Sequence, residues 1–125
     1  MKIQKMNKKL KFSPALNRDG TKAPRLIDVV LVKFGTRSQV LFIASMSRQA
    51  FKETKRTGKV VLYSRSRKCL WYKGATSGDW LKVVGYKVNC NSDSLLISVI
   101  PVKGVCHVKR PCGKSWHTCF FTELI

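Results

Sequence analysis

Short apolar runs separated by turn-forming residues mark the chain from residue 28 onward. Runs of this length, bounded by Gly, Asn, Asp and Ser, are typical of β-strands. We therefore expect strands over residues 29–34, 39–43, 60–63, 81–90 and 95–102. Residues 35–38 would close a hairpin between the first two strands, and residues 91–94 would join the last two.

A helical pattern follows the second strand. Ser47 can cap its N-terminus and Gly58 is placed to end it, because these residue types favour the two ends of a helix. The face turned to the core would carry Met46, Ala50, Phe51 and Thr54. One helix against several strands predicts an α+β domain with a mostly antiparallel sheet.

Size and charge narrow the possible functions. The 125 residues suit a single domain, and 44% hydrophobic residues suffice for a packed core, which excludes a chain that is disordered throughout. Because 25 Lys and Arg oppose 6 Asp and Glu, the net charge is +19, and such a charge favours anionic partners. Six acidic residues leave little material for a mechanism based on paired carboxylates.

Basic residues are dense at the N-terminus. Residues 1–24 contain seven Lys and Arg against one acid, and Pro14, Gly20 and Pro24 interrupt any helix. We interpret residues 1–24 as a mobile basic arm and residues 25–125 as the folded domain. The arm would either bind polyanions weakly and in a salt-dependent way or serve as a solvated tail.

The apolar segments also bear on the compartment. No apolar segment approaches the roughly 20 residues that are needed to span a bilayer. The N-terminus also lacks the apolar stretch and the cleavage site that are typical of a secretory signal. We therefore expect a cytoplasmic protein without membrane contact. In a reducing compartment cysteines are metal ligands or core thiols rather than disulfides, and this chain has Cys69, Cys90, Cys106, Cys112 and Cys119.

Residues 64–78, with the sequence SRSRKCLWYKGATSG, have the composition of a phosphate site. Arginine offers a planar fork to phosphate oxygens, and hydroxyls add neutral donors. In an extended backbone Arg65 and Arg67 would point to the same face, since side chains alternate along a strand. The alternative is a basic strand with ordinary solvated arginines.

The C-terminal segment concentrates Cys106, His107, Cys112, His117 and Cys119. Thiolate and imidazole are preferred ligands of zinc, although the spacing of these cysteines does not match a zinc ribbon. Four thiolates would give a closed structural site. Three thiolates would leave a position at which water is acidified, and the number of cysteines does not separate the two cases.

Together the two segments resemble the phosphoribosyl-AMP cyclohydrolase family of histidine biosynthesis, whose members hydrolytically open the purine ring of phosphoribosyl-AMP. Residues 64–78 match the family signature SRSRxxLWxKGxTSG without a break. Residues 40–50 resemble the preceding strand and helix start, residues 104–107 (GVCH) a GxxCH turn, and residues 118–121 (TCFF) the closing segment. The resemblance covers roughly residues 25–123.

The resemblance implies an intertwined homodimer in which both chains contribute to each active site. It implies a zinc ion held by Cys90, Cys106 and Cys119 that activates water for attack on the purine ring, with His107 as the catalytic proton-transfer residue. Trp71 would stack on a base or pack in the fold. The phosphates and ribose of the substrate would be held by Ser64, Arg65, Ser66, Arg67, Lys73, Thr76 and Ser77.

The chain departs from the family at three places. The family reads DCDxD around the first zinc cysteine, with three aspartates that hold magnesium, whereas this chain has Asn89, Asn91 and Asp93. Since Mg²⁺ favours carboxylate oxygens, we expect a weakened magnesium site. Residues 78–81 (GDWL) replace the family's GNxQ or GHxQ, and the loop between residues 106 and 119 is longer than usual.

The longer loop introduces Cys112, which is either a surface thiol or a zinc ligand that replaces or joins Cys119 and closes the site. We expect Cys69 to lie in the core and His117 to be a loop residue.

Three functions fit these observations. The first is an active zinc-dependent cyclohydrolase. The second is a cyclohydrolase-like fold with a structural zinc that is used to bind nucleic acid or nucleotides, which the +19 charge and the altered magnesium residues favour. The third is an enzyme that acts on another purine-like nucleotide, which the altered residues 78–81 permit.

Overall fold

The computed structural model describes residues 7–35 and 39–125, and the fold is α+β as expected. The hairpin turn predicted at residues 35–38 lies largely outside the described residues. The elements are β1 (Leu26–Lys33), β2 (Gln39–Ser47), α1 (Arg48–Thr57), β3 (Val61–Ser64), β4 (Cys69–Tyr72), β5 (Leu81–Val88) and β6 (Ser94–Pro101). Every predicted strand is present, but β2 extends four residues beyond its expected end, so Met46 is buried in this strand and not on the helix as we expected. Strand β4 is an additional strand that the apolar pattern did not predict.

The main sheet has four strands in the order β2-β1-β6-β5, and β3 pairs with β4 in a separate two-stranded sheet. The β1–β2 and β5–β6 pairs are antiparallel, whereas β1 and β6 in the centre are parallel. The expectation of a mostly antiparallel sheet is therefore confirmed. Because β1 and β6 run the same way, their first residues, Asp28 and Ser94 among them, lie side by side at one end of the sheet.

The core lies on one face of the main sheet. In β1 the side chains of Ile27, Val29 and Leu31 are buried, and in β6 those of Ile97 and Val99 are buried beside them. This alternation places every second residue of each strand in the core. Burial of such branched side chains contributes about 2 kcal/mol each to folding.

Helix α1 begins and ends as its sequence predicts. The Ser47 hydroxyl accepts a hydrogen bond from the Ala50 N–H at 3.1 Å, and Gly58 ends the helix in the left-handed region at a φ of 73°. Inside the helix the fully buried Thr54 accepts a hydrogen bond from the Val61 N–H at 3.0 Å. Local capping therefore sets the ends of α1, and Thr54 joins the helix to β3.

The described part of the basic N-terminal segment is packed on the domain, where we expected a mobile arm. Phe12 is buried under the guanidinium of Arg48, whose central carbon lies 4.8 Å from the centre of its ring. Asn17 is also buried, and its side-chain oxygen accepts a hydrogen bond from the Tyr63 hydroxyl at 2.8 Å. Residues 12–23 thus contribute to the fold, and the boundary at residue 24 stays a prediction.

Across the two described ranges, no helix has both the length and the apolar character needed to cross a membrane.

Candidate active site

The arginines of the signature lie in a turn and not on a strand. Residues 65–68 connect β3 to β4, so the extended backbone that would align Arg65 with Arg67 is not present. Ser64 stabilises the turn by accepting a hydrogen bond from the Arg67 N–H at 3.1 Å. The Arg65 guanidinium donates to the Leu16 carbonyl at 2.7 Å, which fixes its position, while Ser66 is exposed.

Two adjoining cavities open beside this turn, and we call them the arginine groove. They measure about 370 and 350 Å³ and share Asp28, Ser45 and Arg65 in their walls. The first cavity also includes Asp93, and the second includes Trp71. The groove combines a fixed guanidinium, hydroxyls and an aromatic ring, which are groups that bind phosphate, ribose and base.

Lys73 lies at the other end of β4, away from the arginine turn. Its side chain is buried, and its ammonium donates to the Val105 carbonyl at 2.5 Å. Burial lowers the pKa of Lys73, and the nearby carboxyl of Asp79 and the thiols of Cys119 and Cys106 oppose that shift. The signature is therefore divided, with its arginines in one place and its lysine beside the C-terminal cysteines.

The thiols of Cys106 and Cys119 lie close enough for each to affect the ionisation of the other. Cys106 is buried and its sulfur accepts a hydrogen bond from the Val108 N–H at 3.5 Å, while the Cys119 N–H donates to the Leu41 carbonyl at 2.8 Å. Cys119 is exposed as a residue, but partial burial of its thiol raises the pKa of Cys119 to about 11, and the neighbouring Cys106 thiol adds to the shift. Two thiols thus face each other beside the Lys73 ammonium.

Asp79 is a structural residue that the sequence motifs did not indicate. It is only 5% exposed, and its two oxygens accept hydrogen bonds from the Gly104 N–H at 3.2 Å and the Ser115 hydroxyl at 3.0 Å. Its own N–H donates to the Ser77 hydroxyl at 3.1 Å. The altered segment 78–81 therefore braces the cysteine loop instead of presenting Asp79 to a ligand. The one feature of the sequence that could have indicated this role is that Asp79 is the single acidic residue between Glu53 and Asp93.

Thr76 and Ser77 are exposed on the turn that follows Lys73. Gly74 within this turn has a φ of 98°, and a Cβ there would lie 2.6 Å from the Trp80 nitrogen. The backbone at Gly74 therefore approaches residues 79–80 too closely for any side chain.

Cys90 lies far from the thiol pair within one chain. It is exposed on the turn between β5 and β6, whereas Cys106 follows the other end of β6. The eight residues of β6 span about 26 Å at roughly 3.3 Å per residue. The arginine groove and Cys90 thus lie near the same end of the sheet, and Cys106 and Cys119 lie at the opposite end.

The remaining thiols and imidazoles lie apart from Cys106 and Cys119. Residues 109–115 form a small hairpin in which the Gly113 N–H donates to the Arg110 carbonyl at 2.8 Å, and Cys112 is exposed at its tip. His107 and His117 are exposed, and Cys69 is exposed on β4, contrary to our expectation that it lies in the core. Within residues 7–35 and 39–125, no three His, Cys, Asp or Glu side chains converge on a common metal position.

Cys106 and Cys119 could supply two of the protein ligands of a zinc ion. Two neighbouring sulfurs are soft ligands of the kind that zinc prefers, and a bound divalent cation would displace the thiol protons. A catalytic zinc needs three protein ligands, and one chain brings only Cys106 and Cys119 together in the part of it that the structure describes. The donor set therefore suits zinc provided that a third ligand comes from another chain.

Comparison with known proteins identifies the family. Residues 42–121 match the family model of phosphoribosyl-AMP cyclohydrolase. The phosphoribosyl-AMP cyclohydrolase of Methanosarcina barkeri is 37% identical over 113 residues, covering 90% of this chain and 83% of the relative. That of Lacticaseibacillus casei is 44% identical over 89 residues, covering 71% and 80%.

A third relative is the histidine biosynthesis bifunctional protein HisIE of Buchnera aphidicola. It is 38% identical over 114 residues, which cover 91% of this chain and 50% of the relative. The family model spans more than half of the chain and includes the signature, the Cys90 turn and both cysteines of the thiol pair. The chain therefore belongs to the phosphoribosyl-AMP cyclohydrolase family.

Proposed function

We propose that this chain is a zinc-dependent hydrolase that opens the purine ring of phosphoribosyl-AMP in histidine biosynthesis. The observation that carries the proposal is the proximity of Cys106 and Cys119 to each other and to Lys73, in a chain whose signature at residues 64–78 is intact. A pair of soft ligands and a nucleotide-binding groove are the two components that such a reaction requires.

We further propose that the working form is a homodimer in which Cys90 of one chain completes the thiol pair of the other. The distance along β6 between Cys90 and Cys106 supports this arrangement. So does the sheet face opposite the core, on which Ile43, Val30 and Leu96 pair in a row across three strands. Ile43 is 62% exposed there, and a second copy of the chain would bury this apolar row.

In this arrangement each part of the chain has a distinct role. The Arg65 guanidinium, fixed by its bond to Leu16, would bind substrate phosphate in the arginine groove. The buried Lys73 would hold positive charge beside the two thiolates and favour their ionised form. When bound, zinc would supply a nucleophile from water at neutral pH. His107 follows Cys106 and is exposed, so its imidazole could transfer the proton at the purine ring.

The direct test combines metal analysis with turnover. Purified protein should contain about one zinc per chain and should change the ultraviolet absorbance of phosphoribosyl-AMP. Cys106→Ala should lose both zinc and turnover, whereas Cys69→Ser, which alters an exposed thiol on β4, should keep both. Full zinc content without turnover at any magnesium concentration would contradict the proposal.

Binding of nucleic acid is a second candidate function because the chain carries a net charge of +19. Such a charge predicts association with generic RNA that weakens steeply as salt rises. Deleting residues 1–11, which contain five lysines, should reduce this binding if it is specific to the N-terminal segment. Weak binding at low salt in the full chain would exclude this function.

A further inference from the structure

The Asn89 side chain closes the turn that carries Cys90. The Asn89 oxygen accepts hydrogen bonds from the Asp93 N–H at 2.9 Å and the Ser94 N–H at 3.0 Å. These two donors fix the orientation of the amide, so its nitrogen faces Asp93 and donates to that carboxylate at 2.6 Å. Asn89 therefore links both ends of the turn in the place where the family has an aspartate.

This arrangement does not suit a magnesium ion. Mg²⁺ requires several oxygen ligands in near-octahedral geometry, but the only side-chain oxygen of Asn89 is already used by two N–H donors. The side of the amide that faces Asp93 is an N–H donor, whose positive end repels a cation. The neutral amide thus occupies the space between positions 89 and 93 and donates to the Asp93 carboxylate from the place where a cation would bind.

A cationic side chain from the N-terminal segment contacts the same turn. The Lys8 ammonium donates to the Cys90 carbonyl at 3.2 Å, and the backbone of the N-terminal segment is attached nearby, where the Lys11 N–H donates to the Ser92 carbonyl at 2.8 Å. The N-terminal segment therefore brings a positive charge to the turn at which the family resemblance implies a divalent cation.

We propose that positions 89–93 hold no magnesium ion or other hard, oxygen-liganded cation, because the Asn89 amide closes the turn and the Lys8 ammonium adds positive charge to it, whereas the Cys90 thiol stays available to zinc. This inference deepens the proposed function, since it specifies how the active site is organised without magnesium. It assigns a role to the N-terminal segment that is separate from nucleic-acid binding.

The first test measures cation binding directly, so its outcome is independent of turnover. Wild-type protein should show no bound Mn²⁺ at the turn by electron paramagnetic resonance, and its melting temperature should not change with millimolar Mg²⁺. In Asn89→Asp/Asn91→Asp two carboxylates would face each other at positions 89 and 93, and like charges this close repel each other. That variant should melt at lower temperature, bind Mn²⁺ and regain stability with Mg²⁺. Stoichiometric Mn²⁺ binding at this turn in the wild type would overturn the inference.

The second test isolates Lys8. In the Asn89→Asp/Asn91→Asp background, Lys8→Gln should tighten Mn²⁺ binding by roughly threefold, because an ammonium next to the site competes with the cation. Lys9→Gln removes the same charge from the neighbouring residue and is the matched control; it should change the affinity less. Equal effects of the two substitutions would show that Lys8 contributes only general charge, and that part of the inference would fail.

Discussion

The carboxylate of Asp79 accepts a hydrogen bond from the Ser115 hydroxyl at 3.0 Å and so joins the residue after the signature to the loop between Cys106 and Cys119. The other oxygen of Asp79 accepts the Gly104 N–H, two residues before Cys106. The nearby Lys73 ammonium contacts the Val105 carbonyl in the same loop. These hydrogen bonds join the signature to the cysteine loop. The positions of the two thiols therefore depend on groups that contact neither sulfur.

Asp79→Ala should lower the free energy of unfolding by about 3 kcal/mol, because it leaves buried donors without their charged acceptor. Ser115→Ala removes only one of these bonds and should cost about 1 kcal/mol. Urea denaturation measures both values. Zinc content should fall in Asp79→Ala under conditions in which the protein is still folded, since the loop that holds Cys106 loses its brace. Equal stability of the two variants would contradict the role assigned to Asp79.

Glycine at position 74 is required by a close approach of backbone to backbone. A Cβ at Gly74 would lie 2.6 Å from the Trp80 nitrogen, and the φ of 98° is unfavourable for any other residue. Gly74→Ala should therefore destabilise the fold by about 3 kcal/mol. At Gly85 in β5 a methyl group would have no neighbouring atom within 4 Å, so Gly85→Ala should change stability by less than about 0.5 kcal/mol. Thermal unfolding of the two variants compares them directly.

The structural features that the sequence predicted best are those that depend on residues close together in the chain. The ends of α1 follow from Ser47 and Gly58, which act within one turn of the helix. The parallel pairing of β1 with β6 was not predicted, because it joins segments separated by most of the domain. The N-terminal segment looked like a free arm by composition, yet Phe12 and Asn17 are buried by partners that only the folded chain provides.

The candidate site was predicted as a set of residues but not as an arrangement. The signature motif named Arg65 and Lys73, whereas the structure separates them by the length of β4. The burial of Asp79 was not predicted, because a carboxylate in a polar segment is normally solvated and the group that buries this one follows 25 residues later. Motifs identify chemistry, but the position of each group depends on strand pairing over long distances.

The ion pair between Lys68 and Asp19 gives the N-terminal segment a response to acid. Lys68 and the Thr21 hydroxyl lower the pKa of Asp19 from 3.8 to about 2. Because the folded pKa is below the unfolded one, the stabilisation is present above pH 3.8 and is lost as the pH falls through about 2. Lys68→Gln should raise the pKa of Asp19 towards 3.8, and Thr21→Val should raise it less, since Lys68 is the larger cause. An NMR titration of the Asp19 carboxyl measures both shifts; no change in Lys68→Gln would exclude the ion pair in solution.

Sharing of the active site between chains can be tested by mixing two inactive variants. Cys90→Ala and Cys106→Ala should each be inactive alone, because each lacks one of the three zinc ligands. In a mixed dimer the intact Cys106 of the first variant meets the intact Cys90 of the second, so one of the two sites is complete. Random exchange of equal amounts should restore about a quarter of the wild-type activity. A mixture of Cys106→Ala and Cys119→Ala is the matched control: both substitutions fall in the thiol pair of one chain, so no dimer contains an intact site and activity should stay absent. Failure of the first mixture to recover activity, with exchange verified by native mass spectrometry, would show that Cys90 does not serve the partner's site.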